Sequence, residues 1–127
     1  MMSDFLKLFG ENISKEMPGF VALSVIDIKS GNIYYSKKNN KNFNIESASK
    51  FALEMIRAQL NANDFLKSDQ SIDDITITLT NQYQFLKISQ NNSYFIYLVA
   101  DSSKANLAFT KAILNKQISE ISNKFQS

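Results

Sequence analysis

Met17-Pro18-Gly19-Phe20-Val21-Ala22-Leu23-Ser24-Val25-Ile26-Asp27-Ile28 holds the end of a helix, a stop and a strand. Pro18-Gly19 cannot continue a helix. From Phe20 to Ile28 the residues are almost all apolar, of strand length and rich in β-branched side chains, the pattern of a central strand covered on both faces. Upstream, Phe5, Phe9, Ile13 and Met17 recur every four positions with Leu6 and Leu8 beside them, which predicts a first helix with Ser3 as its cap. Downstream, Lys29-Ser30-Gly31-Asn32 is a turn signal before a short strand, Ile33 to Ser36, so the two strands read as a hairpin. A polar Lys/Asn loop, Lys37 to Asn42, closes this half.

The second half repeats the logic with different elements. Asn44 is a good cap for a helix running to about Phe65, with Glu46 in the first turn where the helix dipole favours negative charge. Ile75-Thr76-Ile77-Thr78-Leu79-Thr80 alternates aliphatic and Thr, which predicts a half-buried strand. Asn81-Gln82 turns into a strand from Tyr83 to Ile88, and Gln90 to Ser93 turns into an apolar strand from Tyr94 to Ala100. Asp101-Ser102-Ser103 offers caps for a last helix from Lys104 to about Phe125, with a stripe of Leu107, Leu114, Ile118, Ile121 and Phe125. The expected order is α-β-β-α-β-β-β-α, an α+β sandwich with one five-stranded antiparallel sheet between helices. No repeat or linker interrupts it, so residues 1–127 read as a single domain.

Composition removes most catalytic classes. The chain of 127 residues has no His and no Cys, which excludes Ser-His-Asp and Cys-His nucleophiles and every Cys/His zinc site. With 14 Lys+Arg against 12 Asp+Glu the net charge is +2, without the basic footprint of a nucleic-acid binder. Neither GxxxxGK[ST] nor GxGxxG occurs, so no nucleotide or other cofactor is expected on this chain. Its first residues, Met1 to Lys7, lack the pattern of a secretory signal, and no stretch approaches the length of a membrane span. A cytoplasmic protein without membrane insertion is the expectation.

The predicted second helix is apolar on too many sides. Glu46, Lys50, Glu54, Arg57 and Asn61 share one narrow polar arc. The remaining arc of roughly 220° is apolar or small apart from Ser49 and Gln59, about twice what a surface helix needs. We expect one flank, with Leu53, Ile56 and Leu60, to meet a protein partner. The strand from Ile75 to Thr80 is a second hint, because as an edge strand it pairs readily with the same strand of another copy. A dimer through Leu53, Ile56, Leu60, Ile75 and Ile77 is therefore predicted, with Ile56→Asp splitting it.

The succession Met17-Pro18-Gly19-Phe20, Val25-Ile26-Asp27 with Ser30-Gly31 and Ile33, Ile75-Thr76-Ile77, and Ala105-Asn106-Leu107-Ala108 resembles the roadblock / dynein light-chain family. The resemblance spans Phe5 to Ile121. Family members typically have Asn-Leu-Gly at the start of the last helix, where this chain has Ala108 in the third place. What the resemblance implies is a roadblock/profilin-like fold in a non-enzymatic homodimer, with strand 3 paired across the two-fold and helix 2 beside its mate. It further implies an adaptor or regulator of a small Ras-like GTPase, as in the bacterial branch whose members regulate a small GTPase that sets cell polarity. Glu46, Lys50, Glu54 and Arg57 are the candidate contacts with that partner. A ligand sensor of PAS or GAF type, and a structural subunit without a GTPase, are the alternatives.

Other groups of residues read as ordinary surface or core. Arg57, the only Arg, is better explained by an ion pair with Glu54 than as an arginine finger. Asp64, Asp69, Asp73 and Asp74 lack the spacing of a calcium loop, so no metal is expected. Lys37, Lys38 and Lys41 read as a soluble loop, and Tyr34 and Tyr94 as packing rather than the walls of a pocket.

Overall fold

A computed structural model describes residues 2–67 and 69–125, with side chains described for 4–67 and 69–121. The elements are α1 (Met2–Glu16), β1 (Phe20–Asp27), β2 (Ile33–Lys38), α2 (Ile45–Phe65), β3 (Asp74–Thr78), β4 (Gln82–Ile88), β5 (Tyr94–Asp101) and α3 (Leu107–Phe125). This is the predicted order. The strands form one antiparallel sheet, β2-β1-β5-β4-β3, so the two most apolar strands lie side by side near its middle.

Alternation along these strands feeds two cores. Leu23 and Val25 of β1 and Tyr94, Ile96 and Leu98 of β5 pack with Leu6, Phe9 and Ile13 of α1 and Ile113 and Leu114 of α3. Ala22, Ile26, Phe95, Tyr97 and Val99 point the other way, beneath Ile45, Ala52, Leu53 and Ile56 of α2. Successive side chains alternate faces, so a strand buried on both sides must be apolar throughout, as Phe20 to Ile28 suggests. Two helices thus cover one face of the sheet, and one helix covers the other.

The turns explain where elements stop. Gly19 has φ +77, and a Cβ there would stand 2.8 Å from the Asp101 carbonyl oxygen. Only glycine allows α1 to turn tightly into β1 at this point. β1 ends at Asp27 because its carboxylate holds the hairpin turn, accepting from the Ser30 amide at 2.7 Å and the Tyr34 hydroxyl at 2.8 Å. The α3 cap is Asn106, whose side-chain oxygen accepts from the Phe109 amide at 3.0 Å. The predicted caps at Asp101 to Ser103 instead form a separate turn in which Asp101 accepts from the Ser103 amide and hydroxyl at 2.9 and 2.7 Å.

Other boundaries shift by a residue or two. β2 takes in Lys37 and Lys38, and β3 ends at Thr78 where the Leu79 amide donates to the Gln82 carbonyl at 2.8 Å. Leu8 and Leu107 are exposed, while Thr110 and Gln117 are buried members of α3 that apolar periodicity does not pick out. Ser3, expected as a cap, lies within α1; its side chain and that of Phe125 fall outside the described residues.

The sheet has two edges of different character. Along β2, Tyr34, Ser36 and Lys38 are exposed, its pairing with β1 shifts register between Val25 and Ile26, and the Lys38 ammonium donates to the Phe43 carbonyl at 3.2 Å. β3, bonded on one side to β4, is the other edge. Among the described residues no helix is long and apolar enough to cross a membrane.

Candidate protein-docking surface

Asn44 opens α2 by accepting from the Ser47 amide at 3.0 Å. Ile45, Ser49, Ala52, Leu53 and Ile56 face the sheet and are buried, and Leu60 is half-buried. Inside this contact the Ser49 and Ser24 hydroxyls pair at 2.8 Å, satisfying two polar groups that would otherwise be stranded between helix and sheet.

This arrangement corrects the sequence-based choice of flank. Leu53 is 7% exposed and Ile56 is 0% exposed within a single chain, so neither stands free for a partner. Their side is closed by the β1–β2 turn, where a Cβ on Gly31 would lie 3.2 Å from Leu53 Cδ2. Ile56→Asp would therefore bury a carboxylate in the protein's own core and unfold it before revealing anything about assembly.

The uncovered apolar flank is the opposite one. Phe51 is 70% exposed, Met55 40% and Phe65 84%, with exposed Ala58 and Ala62 between them. Beside them runs a groove of about 220 Å³ lined by Ala48, Phe51, Ala52, Met55, Ile77, Gln84, Leu86 and Tyr97. It exists because a single helix about 10 Å wide cannot cover five strands spaced about 4.8 Å apart. α2 lies nearest β1, so its face of the sheet is left open towards β3, where Ile75 and Ile77 are half-buried. The exposed ridge, the groove and the open strand edge thus adjoin one another.

The polar arc also differs from expectation. Glu46, Lys50 and Glu54 are exposed as predicted. Arg57 is committed elsewhere: its Nε and Nη2 donate to the Ile28 carbonyl at 3.0 and 2.7 Å, and Nη2 also donates to the Lys29 carbonyl at 3.0 Å. The guanidinium fork ties α2 to the hairpin turn, which removes Arg57 from the candidate partner contacts and replaces the expected pair with Glu54.

Elsewhere the titratable groups serve local structure. Asp73 pairs with Lys87 at 2.6 Å and Asp74 with Lys111 at 3.7 Å. Among the described residues no three acidic side chains gather as a metal site. The Ser30 amide, the Ser30 hydroxyl and the Tyr34 hydroxyl hold the Asp27 carboxyl below its usual range, and the same contact raises the Tyr34 phenol. Tyr94 is buried in the core beneath α1 and α3, so it does not converge with exposed Tyr34 on a pocket.

No family profile and no curated protein matches the sequence. Solved structures match the fold closely. MglB of Myxococcus xanthus superposes with a TM-score of 0.76 at 10% identity, over 94% of this chain and 89% of that one. The roadblock/LC7 domain from Streptomyces avermitilis gives 0.77 at 7% identity, over 92% of this chain and 94% of that one. The fold is that of roadblock/LC7 domains. An MglB solved in a tetrameric arrangement gives 0.77 at 14% identity, over 94% of this chain and 86% of that one. At such identities a roadblock fold is shared while side chains are largely replaced, so the docking surface has to be argued from this chain's own residues.

Proposed function

We propose that residues 1–127 form one roadblock-like cytoplasmic domain that dimerises and, without catalytic residues of its own, regulates a small Ras-like GTPase. The observation that carries the dimer is the exposed ridge of Phe51 and Met55 beside a sheet edge that is open at β3. A second copy supplies both missing partners at once: a strand for β3, whose Ile75 and Ile77 lie at the seam, and an apolar helix for the ridge. Leu60, half-buried on the other side of α2 beside Ile28 and Arg57, falls outside this contact, and Leu53 and Ile56 anchor the helix to the sheet. The tetrameric arrangement of a structurally similar MglB supports assembly between copies.

The GTPase half rests on the resemblance of the sequence to a family of GTPase regulators and on the fold shared with MglB. Side by side, two α2 helices bring both sets of Glu46, Lys50 and Glu54 onto one surface, where a partner with mixed charge can bind. Light scattering should give twice 14.4 kDa; a monomer at tens of micromolar would remove the dimer. Calorimetric titration with a small Ras-like GTPase from the same organism, in its GDP and GTP-analogue forms, should show binding that depends on the nucleotide. No heat in either form would remove the GTPase.

A further inference from the structure

At β2 the sheet presents open backbone and unpaired charge in the same place. The Asn39 amide donates to the Val21 carbonyl at 2.8 Å, and Leu23 and Val25 stand opposite Lys37 and Tyr35. Opposed residues of an antiparallel pair alternate between exchanging both backbone bonds and exchanging none. With Val21 and Asn39 bonded, Lys37 and Tyr35 also turn their backbone groups towards β1. Ser36 and Lys38, opposite Ser24 and Ala22, turn theirs outward, where no strand of the sheet lies. The register shift between Val25 and Ile26 confines the regular part of this border to residues 35–38, about 13 Å of strand.

Charge is concentrated on the same border. From residue 29 to residue 41 the chain carries Lys29, Lys37, Lys38 and Lys41 and no acid. Among the described residues the ion pairs are Asp73 with Lys87 and Asp74 with Lys111, and none of these four lysines takes part in one. Lys38 is held in place rather than neutralised, its ammonium donating to the Lys41 and Phe43 carbonyls at 3.4 and 3.2 Å. Lys37 and Lys38 serve opposite faces of the sheet. Leu23, opposite Lys37, belongs to the core beneath α1 and α3, and Ala22, opposite Lys38, belongs to the core beneath α2.

We propose that the β2 edge binds an extended acidic segment of another protein, which joins the sheet as a sixth strand and sets two consecutive carboxylates against Lys37 and Lys38. The outward backbone groups of Ser36 and Lys38 pair with any extended chain, and the lysines choose among side chains. Neighbouring residues of a strand point to opposite faces, so the partner must carry its acids side by side to meet both lysines. Acids at alternate positions reach only one of them. A second copy of this chain does not fit the edge, because it would bring lysine against lysine. Nor does β3 compete for the same segment, since it carries Asp74 and no lysine.

A labelled short peptide, Glu-Glu followed by alternating Val and Thr, tests this by fluorescence anisotropy on the full chain at low salt. Binding should saturate and should weaken as salt rises. Lys37→Glu with Lys38→Glu should weaken it about tenfold or more, with thermal melts to show that the variant folds. An isomer with its acids at alternate positions should bind less tightly than the original. The same peptide N-methylated at alternate amides keeps every charge and loses its donors, so it should not bind the wild-type chain. Hydrogen exchange at the Ser36 and Lys38 amides should slow on binding, while the Lys37 amide is already protected by β1. Equal binding of the N-methylated peptide, or no slowing at Ser36 and Lys38, overturns the proposal. So does a chain that ignores the peptide at millimolar concentration, whether or not it is retained on phosphatidylserine vesicles. The dimer proposed at β3 lies on the opposite edge and stands or falls separately.

Discussion

Phe51→Ala removes a ring that is 70% exposed in one chain and is proposed to be covered in two. Fully burying a Phe side chain is worth about 1.5–3 kcal/mol, so covering the exposed part is worth roughly 1–2 kcal/mol per copy. A two-fold contact uses the residue twice, which brings the loss to roughly 2–4 kcal/mol and weakens dimerisation about 30- to 1000-fold. The monomer itself should hardly change, because the ring contributes little to either core. Sedimentation velocity over a concentration series measures the first effect, and thermal melting of the dilute protein measures the second. Leu53→Ala is the contrasting variant: at 7% exposure it should cost about 2–5 kcal/mol of folding stability whatever the state of assembly. A dissociation constant for Phe51→Ala within threefold of wild type would refute the assigned ridge. So would a melting loss as large as that of Leu53→Ala.

Three further outcomes concern how α2 and the hairpin are held. Ser49→Ala strands the buried Ser24 hydroxyl and should cost about 1–3 kcal/mol in urea unfolding, while Ser24→Ala with Ser49→Ala should cost less than the sum of the single changes; strict additivity would contradict the pairing. Arg57→Lys loses the fork that spans the Ile28 and Lys29 carbonyls and should lower stability by about 1–3 kcal/mol in chemical denaturation. Equal stability would mean that the fork does not hold the hairpin. Because hydrogen bonds from Ser30 and Tyr34 hold the folded Asp27 carboxyl below the ordinary aspartate range, its contribution is complete above the unfolded value and drains away as pH falls through the folded one. Unfolding midpoints measured from about pH 5 to pH 2 should therefore fall less steeply for Asp27→Asn than for wild type.

Fold order was legible because the strongest local signals agree with the tertiary arrangement. The run from Phe20 to Ile28 has the length and β-branched content of a strand covered on both sides, and Pro18-Gly19 places the turn that a positive φ at Gly19 requires. The α3 cap was not legible in the same way. Asp101, Ser102 and Ser103 have the chemistry of caps as much as Asn106 does, and what separates them is the tight return beside Gly19 that occupies Asp101. The α2 flank fails for a different reason. A helical wheel gives the width of an apolar arc but not which part of it meets the sheet. Taking Ser49 as an interruption hid the answer, since its hydroxyl is satisfied inside by Ser24 and Ser49 marks the centre of the buried face. With Ser49 turned inward, Phe51 and Met55 necessarily turn out. Arg57 eluded the sequence because its acceptors are backbone carbonyls of a turn 28 and 29 residues away.

The unequal edges of the sheet bear on how far assembly can run. A β-sheet with two receptive borders adds copies without limit and ends as a fibre. Here β3 offers a short border of alternating Ile and Thr, while β2 ends in Lys37 and Lys38 and carries a register shift. Two chains joined at β3 expose only the two lysine-bearing borders, each of which repels its own kind. In the proposed dimer, growth by strand addition would then stop at ten strands, at the same lysines that look like an unremarkable loop in the sequence.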